Sequence, residues 1–449
     1  MNVTLKTAIR AMSPSFLIPH WDRLEASPLG YRLAKGAFWS LAGTLISRGL
    51  GLCSSILVAR MLGQVGFGEI GIIQSTLGMF GTFAGFGLGI TATKYVAEFR
   101  IKSPARAGRI IALSSVVSWI TGGVMALLLL VLGPWLATHT LAAPHLGGLL
   151  QIGSLLLLLG AINGAQTGAL SGFEAFKSIA RINLISGFFA FPLMVGGVWL
   201  WGVTGAVLGL IISQAVNCLL NFFALQTEAR RAGVLLSYAG SGLEKEILWR
   251  FSLPAVGSGL FVGPVYWVCN SMLVNAPGGY AQMGVFNAAN QWFGALLFLP
   301  GVLGQAALPV LAERLGQNDR AKARKVLGFY VKLNGIVVAP IVLIGCLASP
   351  WIMASYGPSF RETWPTLVVV LSTAGLVALQ TPVGEIIAAS GRMWLGALMN
   401  AGWAAGFIGL TWGFVHWGAL GLAGARFGAY LLHATWVFWL AFYLLKRRQ

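Results

Sequence analysis

Two arginines lie inside long apolar stretches of this sequence, where a charge is costly. Arg48 lies near the middle of the run 36–60, and Arg426 lies near the start of the run 419–445. An apolar run of about 18 or more residues predicts a transmembrane helix, and a charge near the bilayer midplane costs on the order of 2.5–3.5 kcal/mol or more. A guanidinium matches the oxygens of a phosphate group with two parallel hydrogen bonds. Both arginines are therefore candidates for binding an anionic head group in a cavity. A structural role, in which a carboxylate or backbone carbonyls pair with the guanidinium, is the alternative.

Neutral polar residues inside the apolar spans are further candidates for binding substrate. Asn287, Asn290 and Gln291 follow a spacing of three and four residues, which places them on one helix face. Trp267 and Trp292 lie deeper in their spans than most of the 17 tryptophans. The amides could bind sugar hydroxyls and the indoles could stack on sugar rings. Hydrogen bonds between helices and anchoring at the membrane interface are the simpler interpretations.

Three charged residues near span ends are candidates for coupling or gating. Arg60 is expected at the outer end of the first predicted helix (36–60) and Glu69 at the outer end of the second (66–93), where an ion pair is the simplest arrangement and a gate contact is the alternative. Glu385, near the inner end of helix 10, is either a site of coupling to H⁺ or Na⁺ or a plain interfacial carboxylate. The sequence contains no phosphate-binding loop, hydrolase elbow or Cys/His set with metal-ligand spacing, so we expect neither an enzyme nor a cofactor.

The composition places the chain in the lipid bilayer. Of its 449 residues, 57% are hydrophobic and only 9% are charged, whereas a soluble domain carries about 25% charged residues. The formal net charge of +18 does not indicate nucleic acid, because the cations lie between apolar spans rather than on one soluble face.

The order of the spans predicts an all-α integral membrane protein with twelve transmembrane helices. Among them, predicted helix 1 covers 36–60, helix 2 covers 66–93, helix 3 covers 110–132 and helix 10 covers 365–390, and a loop is expected from Gly133 to Leu146. Nearly all lysines and arginines fall in the N-terminal tail, in alternate loops or at the helix ends beside them, which predicts that both termini are cytoplasmic. The exceptions are Arg48, Arg60, Arg361 and Arg426. We divide the chain into an amphipathic cytoplasmic tail (1–34), a first six-helix lobe (35–226), a cytoplasmic linker (227–250), a second six-helix lobe (251–445) and a basic tail (446–449).

Short motifs recur in the two lobes at a spacing of about 215 residues. They are Pro134-Trp135 and Pro350-Trp351, Gln166-Thr167 and Gln380-Thr381, Trp201-Gly202 and Trp417-Gly418, and Glu98 and Glu313. Because each lobe has six spans, the repeats should be parallel, related by an axis along the membrane normal. This arrangement predicts a central cavity between the lobes and alternating access by rocking of one lobe against the other.

Two segments resemble bacterial polysaccharide flippases of the multidrug/oligosaccharidyl-lipid/polysaccharide (MOP) exporter superfamily. The more distinctive is ARMLGQVGFGEIG, from Ala59 to Gly71, within a similar stretch that begins at Lys35, and the other is QTGALSGFEAFKSIARINL, from Gln166. The resemblance covers about 33–445 and implies a MOP-flippase-like fold. It also implies movement of undecaprenyl-diphosphate-linked glycans from the cytoplasmic to the periplasmic leaflet of the inner membrane. Such transport serves the synthesis of lipopolysaccharide or exopolysaccharide, with a polysaccharide polymerase and an export complex as further partners.

Other functions remain open at this point. A MOP-type ion-coupled multidrug antiporter would favour a buried carboxylate for a cationic drug, whereas the deepest charges here, Arg48 and Arg426, are positive. A flippase of the lipid-II type would be expected to have helices beyond twelve. A membrane-embedded glycosyltransferase would need a large polar loop with catalytic carboxylates, and the outward loops predicted here are short.

The predicted topology can be tested with reporter fusions. A reporter fused after Leu141 should report the periplasm, and one fused after Ala239 should report the cytoplasm, because the basic loops alternate with loops that lack lysine and arginine. Paired alkaline phosphatase and green fluorescent protein fusions at both sites measure this. The reverse result at either site would contradict the topology.

Overall fold

The computed structural model describes the backbone of residues 28–253, 261–316, 320–389 and 393–446, and these ranges are almost entirely helical. The predicted tail 1–34 falls mostly outside the described residues, as do 447–449 at the other end. The helices are α1 (Pro28–Ala84), α2 (Leu88–Lys102), α3 (Pro104–His139), α4 (Gly147–Gly153), α5 (Leu155–Gly172), α6 (Phe176–Arg231), α7 (Val262–Val274), α8 (Gly279–Gly316), α9 (Arg320–Ser355), α10 (Trp364–Ala389), α11 (Met393–Phe414) and α12 (Gly418–Lys446).

Seven stretches of the described residues are long and apolar enough to cross a membrane. Three of them contain two long helical segments each: Leu45–Ala84 is kinked at Gly63, Phe176–Arg231 is kinked at Trp201 and Gly202, and Leu395–Leu440 contains most of α11 and of α12. The predicted all-α membrane fold is thus confirmed. The exact number of twelve spans, and the domain boundaries, stay predictions.

One predicted helix boundary is wrong for an instructive reason. The loop expected to begin at Gly133 is helical as far as His139, and Pro134 lies inside α3. A proline removes one backbone N–H and so leaves the carbonyl four residues earlier without a partner. The side chain of Gln151 supplies that partner, since its Nε2 donates to the Leu130 carbonyl oxygen at 3.0 Å. A side chain from a neighbouring helix therefore satisfies the backbone group that proline leaves free.

A second difference concerns predicted helix 2, which is expected to run without a break from Gly66 to Thr93. In the structure this span forms the second part of α1 and the start of α2. The chain instead leaves the helix after Ala84, turns at Phe86 (φ 43°) and Gly87 (φ 63°), and continues as α2. Both residues at the turn have positive φ, and the residues on either side are apolar, so the hydrophobic pattern alone did not indicate a break.

The repeated Trp-Gly pair has the same backbone conformation in the first half of the protein, which comprises α1 to α6, and in the second half, which comprises α7 to α12. Gly202 has φ 57° and ψ −134°, and Gly418 has φ 63° and ψ −138°. Only glycine adopts this region without strain. In each half the pair therefore marks the reversal between two consecutive helical segments.

The hydrophobic core is continuous between the two halves at one end of the molecule and divided at the other. The largest cluster combines residues of α1, α3 and α6 with residues of α7 to α12, and it includes Leu141, Leu273 and Tyr356. Two smaller clusters belong to one half each: one lies around Val96 and Leu225, and the other around Val383 and Val437. The halves are thus packed together at the end that holds Leu141, which we call the closed end, and separate toward the other, the cleft end.

The linker after α6 is fixed to the first half by a buried carboxylate. Glu244 is 5% exposed and accepts hydrogen bonds from Arg106 Nε at 2.9 Å and from Arg109 Nη2 at 3.0 Å. Beside this contact, a Cβ atom at Gly108 would overlap the Leu235 carbonyl oxygen, so the linker backbone lies directly against α3. A π-helical turn, Leu248–Ser252, follows and leads to the second half. This turn is also attached to the first half, because the hydroxyl oxygens of Thr91 on α2 and Ser252 are hydrogen-bonded at 2.8 Å and both residues are buried. Movement between the halves is therefore expected after Ser252.

Replacing Glu244 tests this attachment. Glu244→Gln keeps the shape of the side chain but removes its charge, and hydrogen bonds to a charged group contribute about 1.5–3 kcal/mol. We expect trypsin to cleave after Lys245 roughly tenfold faster or more, because the linker detaches more often. Timed proteolysis of the purified protein measures this. Glu98→Gln, which changes an exposed carboxylate at the same end, is the matched control and should leave the rate unchanged. Equal cleavage of Glu244→Gln and the unmodified protein would contradict the attachment.

Candidate functional site

A polar cavity of about 300 Å³ lies within the first half and reaches α8 of the second. Five helical segments form its wall, and each contributes residues spaced three or four apart, so that one face of each segment points inward. None of the side chains that line it is charged. The polar ones are Ser47, Ser54, Ser55, Gln74, Ser186, Ser213, Gln214, Asn217, Asn287 and Gln291.

Arg48 lies at the cleft-end edge of this cavity, where α1 meets α8. Its neighbours Ser47 and Gly51 line the cavity. Arg48 Nη1 donates to the carbonyl oxygen of Gly294 at 2.8 Å, and the guanidinium lies 4.7 Å from the ring centre of Phe298. The side chain is exposed, and no carboxylate among the described residues forms a salt bridge with it. A guanidinium has five N–H donors, so this environment leaves donors for a further ligand.

Arg426 is in a different environment from Arg48. It is 2% exposed and enclosed within the second half, where its guanidinium lies 3.6 Å from the ring centre of Phe293 and 4.9 Å from that of Tyr266. Its Nη1 donates to Asn290 Oδ1 at 2.8 Å. Two aromatic faces and one amide thus hold the cation, and Arg426 does not line the cavity.

The predicted amide cluster divides between these two environments. Asn287 and Gln291 line the cavity, and Asn287 Nδ2 also donates to the Phe67 carbonyl oxygen at 3.3 Å. Asn290 instead binds Arg426. The spacing correctly predicts that the three residues lie close together on the surface of α8. Asn290 faces α12 rather than the cavity, because Arg426 of α12 packs against it.

The two deep tryptophans lie in the core rather than at the cavity wall. Trp267 Nε1 donates to Thr76 Oγ1 at 3.0 Å, and Trp292 Nε1 donates to the Tyr356 hydroxyl at 3.1 Å. The first bond joins the second half to the first, and the second bond lies within the second half. Both indoles pack against the large hydrophobic cluster that the two halves share. Stacking of either ring on a sugar stays a prediction for another conformation.

The expected ion pair between Arg60 and Glu69 is not formed. Glu69 Oε1 is bound by His145 Nε2 at 2.9 Å, and Arg60 Nε donates to the carbonyl oxygen of Ser355 at 2.6 Å. The prediction was wrong because the packing at the closed end brings other partners closer to each side chain. The side chain of Glu385, the third predicted coupling residue, lies outside the described residues.

Arg60 belongs to a set of contacts that holds the two halves together at the closed end. Gln64 Nε2 donates to the Ser359 carbonyl oxygen at 2.7 Å, and Asn275 Nδ2 donates to the Thr140 carbonyl oxygen at 2.7 Å. The Tyr280 hydroxyl donates to the Leu141 carbonyl oxygen, also at 2.7 Å. In all of these contacts a side chain of one half binds backbone of the other, so we call the set the closed-end contacts.

Glycines allow α1 and α8 to approach closely enough for these contacts. A Cβ atom at Gly68 would overlap the Tyr280 carbonyl oxygen, and one at Gly284 would overlap the Gln64 carbonyl oxygen. Small residues allow this close approach in membrane proteins. Each half thus contributes one glycine to a tight junction beside the cavity.

The serines of the cavity are the residues that sequence reasoning missed. Gln74, Gln214 and Asn217 could be recognised as amides inside apolar spans, but a single serine in a membrane helix is common and carries little information. A usable signal was the spacing of Leu210, Ser213, Gln214 and Asn217, which repeats at three and four residues along α6.

Comparison with known proteins agrees with this architecture. A family model described as "Polysaccharide biosynthesis protein" matches residues 33–314. The chain is 27% identical over 401 residues to the EPS I polysaccharide export inner membrane protein EpsE of Ralstonia solanacearum, covering 87% of this chain and 89% of that one. It is 22% identical over 413 residues to the lipid III flippase of Escherichia coli strain K12, covering 89% and 96%.

Solved structures of MOP-superfamily transporters share the fold. The inward-facing conformation of a multidrug-resistance MATE family transporter has a TM-score of 0.75 at 17% identity, covering 91% of this chain and 98% of that one. A MOP-superfamily transporter from Pyrococcus furiosus has a TM-score of 0.68 at 16% identity, covering 92% and 97%. These likenesses establish the fold alone. Since the family model spans well over half of its length, the chain belongs to the polysaccharide biosynthesis protein family.

Proposed function

We propose that the protein is a flippase that moves undecaprenyl-diphosphate-linked oligosaccharide repeat units across the bacterial inner membrane for surface polysaccharide synthesis. Its relatives include proteins named for polysaccharide export and for lipid flipping. The protein is a transporter rather than an enzyme. Its substrate has an anionic diphosphate, a polar glycan and a lipid tail, so a transport path must offer a cation, neutral polar groups and access from lipid.

The observation that carries this proposal is the position of Arg48. The residue combines an exposed guanidinium, one donor already held by Gly294, and a location at the edge of an uncharged polar cavity. The contact with Gly294 fixes the side chain between the halves, and the remaining donors suit the oxygens of a diphosphate. A purely structural role for Arg48 would account for the hydrogen bond to Gly294 but not for the remaining N–H donors of the guanidinium.

The unequal packing of the two ends supports transport by alternating access. The closed-end contacts join the halves on one side of the cavity, and the clusters around Val96 and Val383 are separate on the other. With both termini in the cytoplasm, as the basic loops indicate, the cleft end faces the cytoplasm. The conformation described here would then load substrate from the cytoplasmic leaflet.

The multidrug antiporter is the alternative that the fold permits. A cationic drug would favour a carboxylate in the binding cavity, and no carboxylate lines the cavity described here. Coupling of transport to H⁺ or Na⁺ is a separate proposal, for which Glu69 with its partner His145 is the candidate among the described residues. A polysaccharide polymerase and an export complex are the proposed protein partners.

Substitution of Arg48 tests the anionic site. Arg48→Ala removes the cation, and we expect transport to fall on the order of tenfold to hundredfold, since hydrogen bonds to charged groups contribute about 1.5–3 kcal/mol. Arg48→Lys keeps the charge but loses the planar pair of donors, so it should retain weak transport. Complementation of a flippase-deficient strain, with membrane protein levels checked by immunoblot, measures both.

Arg361→Ala is the matched control, because Arg361 is also an exposed arginine but lies in the helical turn Pro358–Thr363 at the closed end. It should complement normally. Full activity of Arg48→Ala at normal protein levels would show that the residue is peripheral and would remove the main support for an anionic substrate.

A further inference from the structure

The polar cavity contains a buried hydroxyl group without a partner. Ser54 is 6% exposed, lines the cavity, and its Oγ has no hydrogen-bond partner among the described residues. Serines and threonines inside helices commonly donate to a carbonyl of the preceding turn, as Ser115 and Thr76 do here. A buried hydroxyl that makes no such bond costs free energy unless something in the cavity pairs with it.

A second hydroxyl is held in a fixed orientation by a ladder of amides behind the wall. Asn221 Nδ2 donates to the Oδ1 of Asn163 at 2.7 Å and to the Oδ1 of Asn217 at 2.6 Å. Asn217 must therefore present its amino group on the other side, where Nδ2 donates to Ser186 Oγ at 2.9 Å. Because Ser186 accepts this bond, its own O–H is left to donate. Ser186 and Asn217 both line the cavity.

The members of the ladder satisfy one another inside the membrane span. Asn221 is 3% exposed and Ser186 is 8% exposed, so their polar groups depend on one another for hydrogen bonds. A chain of bonds of this kind holds its terminal group in one direction. Because the Ser186 oxygen is occupied as an acceptor by Asn217, the Ser186 O–H can donate to a group inside the cavity. Ser186 lies on the wall formed by α6, and Ser54 lies on the wall formed by α1.

The charge and size of the cavity restrict the ligand. The wall offers hydroxyls and amides but no cation that could pair with a carboxylate and no carboxylate that could pair with an ammonium group. A charged sugar would lose its hydration there without compensation. A volume of about 300 Å³ is at the lower end for ligand pockets, which suits a single sugar ring better than an extended oligosaccharide.

We propose that this cavity is a subsite for one uncharged sugar ring, the ring attached to the diphosphate, with Ser54 and Ser186 as its hydrogen-bonding groups. This rests on the proposed function. Ser54 lies six residues beyond Arg48 on α1, or roughly 9 Å along the helix axis. A diphosphate bound at Arg48 would therefore direct its first sugar into the cavity.

Binding of three soluble probes to the purified full-length protein in detergent tests the subsite. The probes are farnesyl diphosphate, farnesyl-diphospho-N-acetylglucosamine and farnesyl-diphospho-glucuronic acid, and calorimetry measures their dissociation constants. We expect N-acetylglucosamine to tighten binding about tenfold over farnesyl diphosphate, and glucuronic acid to give no gain. Ser54→Ala and Ser186→Ala should each reduce the gain from N-acetylglucosamine about threefold or more, while the affinity for farnesyl diphosphate stays unchanged.

Ser118→Ala is the matched control. Ser118 is a buried serine of α3 whose hydroxyl donates to the Ser115 carbonyl oxygen, and it does not line the cavity. It should leave all three affinities unchanged.

The outcomes separate the subsite from the proposed function. If N-acetylglucosamine adds nothing, or if its gain survives both serine substitutions, the subsite is wrong while diphosphate binding still supports a flippase. If glucuronic acid gives the same gain as N-acetylglucosamine, the restriction to an uncharged sugar is wrong. If none of the probes binds, the proposed function fails and the subsite fails with it.

Discussion

In a bilayer a polar group finds no partner in the solvent, because hydrocarbon neither donates nor accepts hydrogen bonds. The arrangement of this protein's interior follows from that constraint. The carbonyl left free by Pro134 is bound by a glutamine side chain, and the amides of α5 and α6 pair with one another. Arg426 has two aromatic faces and an amide oxygen, and cation–π contacts contribute about 2 kcal/mol or more when the cation is desolvated. Ser54 and Arg48 have bonding capacity that is not used up, and they lie at the cavity or its edge. Buried atoms without a partner also occur elsewhere in the described residues, as at Arg426 Nε and Thr411 Oγ1.

The same constraint explains how two halves can be joined firmly and yet remain separable. The closed-end contacts use side-chain donors on one half and backbone carbonyls on the other. Such bonds can be exchanged for water when the halves part, without leaving a charge buried. Glycine contacts between α1 and α8 bring the backbones together without interlocked side chains. The linker and the turn after it, by contrast, are fixed to the first half through Glu244 and Ser252, so that bending is expected beyond Ser252.

Functional residues could be predicted from the sequence where a residue type is unusual for the stretch around it. Arg48 could be identified because a cation in an apolar run is rare, and the Trp-Gly pairs could be matched because glycine at a helix reversal has a conformational reason. Ser54 and Ser186 could not be found in this way, since their roles depend on the packing of α1 against α6. The partners of Arg60 and Glu69 were also beyond local reasoning: the closed end brings Ser355, nearly three hundred residues away, to one and His145 to the other.

The central claim is that transport requires the closed-end contacts to separate, and a reversible lock between the halves tests it most directly. Cysteines in place of Gln64 and Ser359, in a Cys53→Ala background that removes the exposed native thiol, can be joined in proteoliposomes by a short bis-methanethiosulfonate crosslinker, which a reductant removes. Flipping of a fluorescent lipid-linked N-acetylglucosamine is then followed before and after reduction. The account predicts that crosslinking lowers flipping to the level of empty liposomes and that reduction restores it. Undiminished flipping with the crosslink fully formed would contradict the account.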